Sequence, residues 1–262
     1  MSLAYHRTVD LTALDHVAAA AAALAAGLVN AVAGGGTLIT FPTLVAIGVP
    51  TKTANITNAI ALCPGYFGGT WAQREDLQGQ RRRAQALAVS ALVGGLAGAL
   101  LLLASPDKLF RNIVPFLILG ACALLGFQGR LRKLIPTRTD DGTDRPPGVG
   151  VLVATCGASV YGGYFGAGLG IMLLAVLGLL IPETLRRVNA VKQLMTFVVN
   201  ITAALIFVLR GDVAWTIAAV MAPMALLGGH LGGGLAKRLD ANKLRAVVVM
   251  LGVAVAVRML TS

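Results

Sequence analysis

Residues 16–51 and 146–182 contain no Asp, Glu, Lys or Arg, giving charge-free runs of 36 and 37 residues. Each is longer than the roughly 20 apolar residues that cross about 30 Å of hydrocarbon. Overall the chain is 56% hydrophobic and 13% charged, whereas soluble domains average about 45–50% apolar and about 25% charged. That composition excludes a cytosolic enzyme and makes the lipid bilayer the expected surrounding. The formal net charge of +11 does not point to nucleic acid, because the basic residues punctuate apolar segments instead of forming one surface stripe. Topology control and contact with anionic lipid explain the excess better. Cys63, Cys122 and Cys156 stand isolated in apolar surroundings without metal-ligand spacing, which argues against a disulfide framework. The first fifteen residues carry Arg7, Asp10 and Asp15 rather than the basic start of a signal peptide.

The apolar segments fall at 17–33, 37–49, 54–72, 84–104 and 109–127, and again at 148–168, 169–181, 190–209, 213–233 and 243–260. A charged stretch, 128–147, separates the two sets and ends in the break Pro146-Pro147. Gly34, Gly36 and Pro50 recur as Gly166, Gly168 and Pro182 at a constant shift of 132, and Asn58-Ala59 recurs one register off as Asn189-Ala190. This ordered recurrence indicates an internal duplication. The expected organisation is a first transmembrane repeat at 1–127, a cytoplasmic linker at 128–147 and a second repeat at 148–262. The expected fold is an all-α polytopic membrane protein of two inverted repeats, with short broken or re-entrant helical hairpins and about 8–10 membrane segments. The second copy is inverted because each half makes an odd number of reversals.

If the loop carrying Arg81, Arg82 and Arg83 is cytoplasmic, 16 of the 22 basic residues lie inside and six lie outside. The positive-inside bias therefore favours an inner-membrane orientation with both termini exterior.

The tips Ala33-Gly34-Gly35-Gly36-Thr37 and Phe165-Gly166-Ala167-Gly168-Leu169 are the sharpest local features. Helical breaks are tolerated in lipid only where they are buried in protein or line a cavity. A broken helix pair aims backbone N–H groups into its gap, which suits an anion. Asn and Thr side chains add donors at a lower desolvation cost than charges. The candidate substrate-binding residues are Asn30, Gly34, Gly35, Gly36, Thr37, Asn58, Gly166, Ala167, Gly168, Asn189 and Lys192. For the glycines the competing role is tight helix packing, for the asparagines capping, and for Lys192 snorkelling to the interface. Trp71 and Trp215 sit near segment ends as interfacial anchors, and His230 is the one histidine within the later segments. No Walker loop, zinc spacing or nucleophile elbow is present, and no carboxylate falls inside a confidently placed span. The expectation is therefore a non-enzyme, without cofactor or metal, whose transport draws on an existing gradient or runs downhill.

The segment Gly27-Leu28-Val29-Asn30-Ala31-Val32-Ala33-Gly34-Gly35-Gly36-Thr37, followed by Pro42 and Pro50, resembles the TauE/SafE family. The second half echoes it from Gly157 through Gly168 to Pro182 and Asn189, so the resemblance spans residues 12–260. The resemblance implies a small inner-membrane secondary transporter for sulfite, organosulfonates or related sulfur oxyanions, working in export. Its expected partners are a small inorganic or organosulfur anion, the bilayer, a coupling ion that is either H+ or Na+, and a homo-oligomeric copy. An anion channel and a non-transporting membrane scaffold stand as alternatives.

Overall fold

The computed structural model describes residues 11–32, 34–135, 144, 146–235 and 241–261. Ala33 of the first tip lies outside the described residues, as do Arg7, Arg138, Arg145, Lys237 and Arg238 of the charge count. The described residues form ten α-helices and no strand. In chain order these are α1 (Ala13–Val32), α2 (Thr37–Ala46), α3 (Thr51–Ala72), α4 (Arg81–Ala104), α5 (Asp107–Leu134), α6 (Val149–Tyr164), α7 (Leu169–Leu180), α8 (Leu185–Arg210), α9 (Trp215–Leu235) and α10 (Ala241–Thr261). One turn of 3-10 helix, Arg74–Leu77, lies between α3 and α4.

Five helices, α1, α4, α5, α8 and α9, are long and apolar enough to cross a membrane. At 1.5 Å per residue, the 10-residue α2 and 12-residue α7 reach only about 15–18 Å, roughly half a hydrocarbon core. Three boundaries depart from the sequence expectation. The segment expected as a short arm at 17–33 forms the 20-residue α1. It starts early because Asp15 Oδ2 accepts from the Thr12 N–H (2.8 Å) while Thr12 Oγ1 accepts from the Asp15 N–H (3.3 Å), a reciprocal cap. Helix α5 continues to Leu134, into the stretch read as linker. The segments expected at 54–72 and 190–209 start earlier, since α3 begins at Thr51 and α8 at Leu185.

The molecule is apolar outside and polar at its centre. Val89, Phe116, Leu205 and Met250 are each more than half exposed, as expected where lipid is the solvent. Helices α3 and α8 pack against each other and bury Asn55, Thr57, Asn58, Lys192, Gln193, Thr196 and Asn200. Helix α1 packs on α9, and α4 on α6. At Gly27 and Gly228 in the first interface, and Gly98 and Gly163 in the second, an added Cβ would meet backbone of the facing helix. Bare backbone is what lets these helices approach so closely. Exchanging α1–α5 with α6–α10 turns α1·α9 into α6·α4, α3·α9 into α8·α4 and α2·α10 into α7·α5, and all of these pairs are packed.

Candidate functional site

The two helix breaks are built from glycines whose backbone needs the left-handed region. Gly34 has φ +68° and Gly166 has φ +80°, at the shift of 132 that separates the repeated motifs. In the first break Asn30 Oδ1 accepts from the N–H groups of Gly35 (3.1 Å) and Gly36 (2.8 Å), and the Gly34 N–H donates to the Val29 carbonyl (3.0 Å). These amides therefore shape the turn rather than face a cargo. In the second break the Phe165 and Gly166 amides both donate to the Tyr161 carbonyl, and the Tyr161 hydroxyl donates to the Ala167 carbonyl (2.6 Å). Gly168, at φ +78°, caps α7. Among the described residues no backbone carbonyl accepts from the Gly168 or Gly170 amides, so the positive end of α7 keeps free donors.

The breaks meet at the centre of the molecule. A Cβ built on Gly170 would lie 4.0 Å from the Gly34 Cα, 3.7 Å from Lys192 Cδ and 4.0 Å from Lys192 Nζ. Between them is a cavity with about 10 Å3 of free space, about one water's worth. Asn30, Gly34, Gly35 and Thr37 line it from the first break, and Gly166, Gly168, Leu169 and Gly170 from the second. Tyr66 of α3 and Lys192, Gln193 and Thr196 of α8 complete it. Lys192 is only 6% exposed, so the structure places it in the core and not at an interface. The Tyr66 hydroxyl is within hydrogen-bonding reach of Thr37 and Asn30. A lysine, three hydroxyls and two amides converge here, with no carboxylate among the described lining residues.

Seven sequence-selected residues thus line one cavity: Asn30, Gly34, Gly35, Thr37, Gly166, Gly168 and Lys192. Gly36 adjoins it through Asn30, and Ala167 is fully buried within the second break. Asn58 and Asn189 do not line it. Asn58 is 3% exposed, with an Oδ1 that finds no hydrogen-bond partner among the described residues. Asn189 donates to Gln73 Oε1 (2.6 Å) at the start of α8. Sequence reasoning missed Tyr66 and Thr196. Thr196 stands one helical turn beyond Lys192, whose carbonyl accepts from its hydroxyl (2.9 Å), and that i,i+4 spacing in an apolar helix was the available signal.

The two ends of the bundle differ. At one end Glu183, 2% exposed, joins Arg83 Nη1 (2.5 Å) and Arg187 Nε (2.9 Å). Arg83 also donates to Gln80 Oε1 (3.1 Å), and Arg186 pairs with Asp76 (2.7 Å). Asp144 accepts from the backbone amides of Arg82 (2.8 Å) and Arg83 (3.1 Å), which holds its carboxyl below the usual aspartate value. At the other end a cavity of about 660 Å3 lies between Lys52, Asp107, Arg210 and Asp212. Lys52 Nζ donates there to the carbonyls of Leu103 (3.2 Å) and Ser105 (2.8 Å). His230 is exposed on α9, away from the core. Among the described residues no group of three or more His, Cys, Asp or Glu side chains is placed to hold a metal ion.

A family model described as sulfite exporter TauE/SafE matches residues 19–259. Probable membrane transporter protein ORF9 of Sinorhizobium sp is 27% identical over 250 residues, covering 91% of this chain and 90% of the relative. A probable membrane transporter protein of Haemophilus influenzae is 26% identical over 228 residues, with 86% and 87% covered. Probable membrane transporter protein YfcA of Escherichia coli K12 is 28% identical over 246 residues, with 91% and 87% covered. No solved structure matches the chain.

Proposed function

The chain belongs to the TauE/SafE family, and from that premise we propose that this membrane transporter exports sulfite, an organosulfonate or a related sulfur oxyanion across the inner membrane. The observation that carries the anion reading is the burial of Lys192 where the two glycine breaks meet. A small oxyanion seated there accepts from the Lys192 ammonium and from the Gly168 and Gly170 amides at the positive end of α7. The hydroxyls of Thr37, Tyr66 and Thr196 supply the neutral donors around it. Asn30, Gly36 and Ala167 belong to this site as shapers of the breaks, and Asn58 and Asn189 flank it on α3 and α8.

The transport cycle in this reading is alternating access by two inverted repeats, 1–127 and 148–262, joined by the 128–147 linker. The self-exchanging helix pairs and the shift of 132 between the breaks support it. The Glu183 network closes the cytoplasmic face and both termini are exterior, in keeping with the excess of basic residues on the side of Arg81, Arg82 and Arg83. A central space of about one water's volume favours a carrier over an open channel. A coupling ion, H+ or Na+, drives export. The test is flux in proteoliposomes against sulfite, a sulfonate, sulfate and a short carboxylate. Saturable uptake with counterflow of a sulfur oxyanion is expected, and an absence of flux for the whole panel overturns the proposal. Flux that never saturates assigns a channel instead.

A further inference from the structure

Gly69 on α3 faces a polar side chain, where the glycines of the tight helix interfaces face backbone. At Gly27, Gly94, Gly98, Gly163 and Gly228 an added Cβ would run into backbone of a neighbouring helix, which is the ordinary reason for glycine in a close helix pair. A Cβ on Gly69 would instead overlap the Nε2 of Gln193, and lie 3.2 Å from its Cδ and 3.6 Å from its Cγ. A glutamine side chain has many rotamers and can swing aside from a methyl group. Close approach of backbones therefore does not require glycine at this position, and glycine within a helix is less stable than alanine. What the missing methyl preserves is the place of the Gln193 carboxamide.

That place borders the central cavity. Gln193 is buried on α8 and lines the cavity beside Lys192 and Thr196. Its backbone is held against α3, where the Thr70 hydroxyl donates to the Gln193 carbonyl (3.4 Å), so the side chain is the part free to move. One turn nearer the Glu183 end the seam between α3 and α8 is closed. There Asn189 Nδ2 donates to Gln73 Oε1 (2.6 Å), and Gln73 Nε2 donates to the Gly69 carbonyl (3.4 Å). The Gln193 carboxamide thus lies between a closed seam and the cavity, drawn back into the recess that Gly69 leaves. A methyl group at position 69 drives it toward the cavity, which has only about 10 Å3 of free space, and truncating Gln193 does the reverse. Resting on the transport reading above, we propose that Gly69 and Gln193 together set the size of the cargo that the central site accepts. Gly69 is the recess into which the carboxamide withdraws to admit an oxyanion, and Gln193 is the specificity-determining side chain.

The test compares sulfite with the bulkier ethanesulfonate on the full chain, by flux in proteoliposomes per folded protein and by ligand-induced thermal stabilisation in detergent. One methylene of space in a binding pocket changes discrimination by about tenfold or more. Gln193→Ala should accordingly raise the ethanesulfonate-to-sulfite ratio about tenfold in both readouts. Gly69→Ala should lower ethanesulfonate flux about tenfold and sulfite flux less, at an unchanged or higher melting temperature, and adding Gln193→Ala to it should restore both. A ratio that Gln193→Ala leaves unchanged, or a double variant as slow as Gly69→Ala, overturns the proposal. Gly69→Ala melting lower with flux retained overturns it too, making Gly69 a packing residue. Stabilisation by both anions with the expected shift in ratio, but no flux of either, overturns the transport reading and leaves the size-setting pair standing. Neither stabilisation nor flux overturns both.

Discussion

Lys192 is the residue on which the anion reading turns. Its side chain sits 6% exposed among hydroxyls and glycines, where desolvation makes a charge costly unless a partner balances it. Lys192→Gln removes the ammonium from the cavity and should lower sulfur-oxyanion flux per folded protein at least about tenfold. A lysine kept for structure alone would give the reverse, a lower melting temperature with flux retained. Asn30 has a different duty, because its Oδ1 satisfies the Gly35 and Gly36 amides. Asn30→Ala strands two buried donors at about 1–3 kcal/mol each and should lower thermal stability in detergent, whereas Asn30→Asp keeps the acceptor and most of the stability. Glycines 34 and 166 were legible in the sequence because a break that needs the left-handed region favours glycine. Tyr66 was not, since a single tyrosine in an apolar segment has no spacing that tells a cavity wall from core packing. Nor could the sequence reveal that the amides of the first break are already occupied, because that depends on where one asparagine side chain points.

Among the elements, the half-length helices α2 and α7 followed from proline and glycine punctuation, and the full helices from uninterrupted hydropathy. The early start of α1 turned on one reciprocal cap at Thr12 and Asp15, outside the hydrophobic pattern. The glycine-faced interfaces allow a contrast within one molecule. Gly98→Ala pushes a methyl into the Val160 carbonyl of α6, and separating two packed backbones should cost about 1–3 kcal/mol. Gly120→Ala on α5 meets nothing within 4 Å and should be neutral or slightly stabilising through helix propensity, as thermal unfolding of the two variants will report. Asp144 caps the start of α4 through the Arg82 and Arg83 amides, and chiefly the first of these bonds lowers its pKa below 3.8. Because the folded value is the lower one, the cap contributes in full above the unfolded value and fades as pH falls through the folded value. An acid titration of stability should show this contribution disappearing below about pH 4, and Asp144→Asn should flatten that part of the curve.

At the scale of the whole molecule, the two halves meet through buried charge at one end only among the described residues, where Arg83 of the first half and Arg187 of the second share Glu183. From sequence, Arg83 reads as one more positive-inside residue and Glu183 as a loop acid after Pro182, so their pairing was not legible. Their contact depends on how α4 lies against α8, which no local pattern encodes. If alternating access is right, this ion pair must break each time the site opens toward that face, and its strength then sets the balance between the two states. Removing Glu183 takes the carboxylate from the buried Arg83 guanidinium at about 3–5 kcal/mol, whereas removing Arg83 leaves Glu183 its Arg187 partner and costs less. Glu183→Gln should lower the melting temperature sharply and Arg83→Gln less so, and the double variant should recover much of the Glu183→Gln loss. The double variant should also expose the central cavity from that face, so that a thiol reagent added there labels Thr196→Cys faster than in the background with Arg83 and Glu183 intact. Unchanged labelling, with stability restored, would make the network a structural staple and place the moving closure elsewhere.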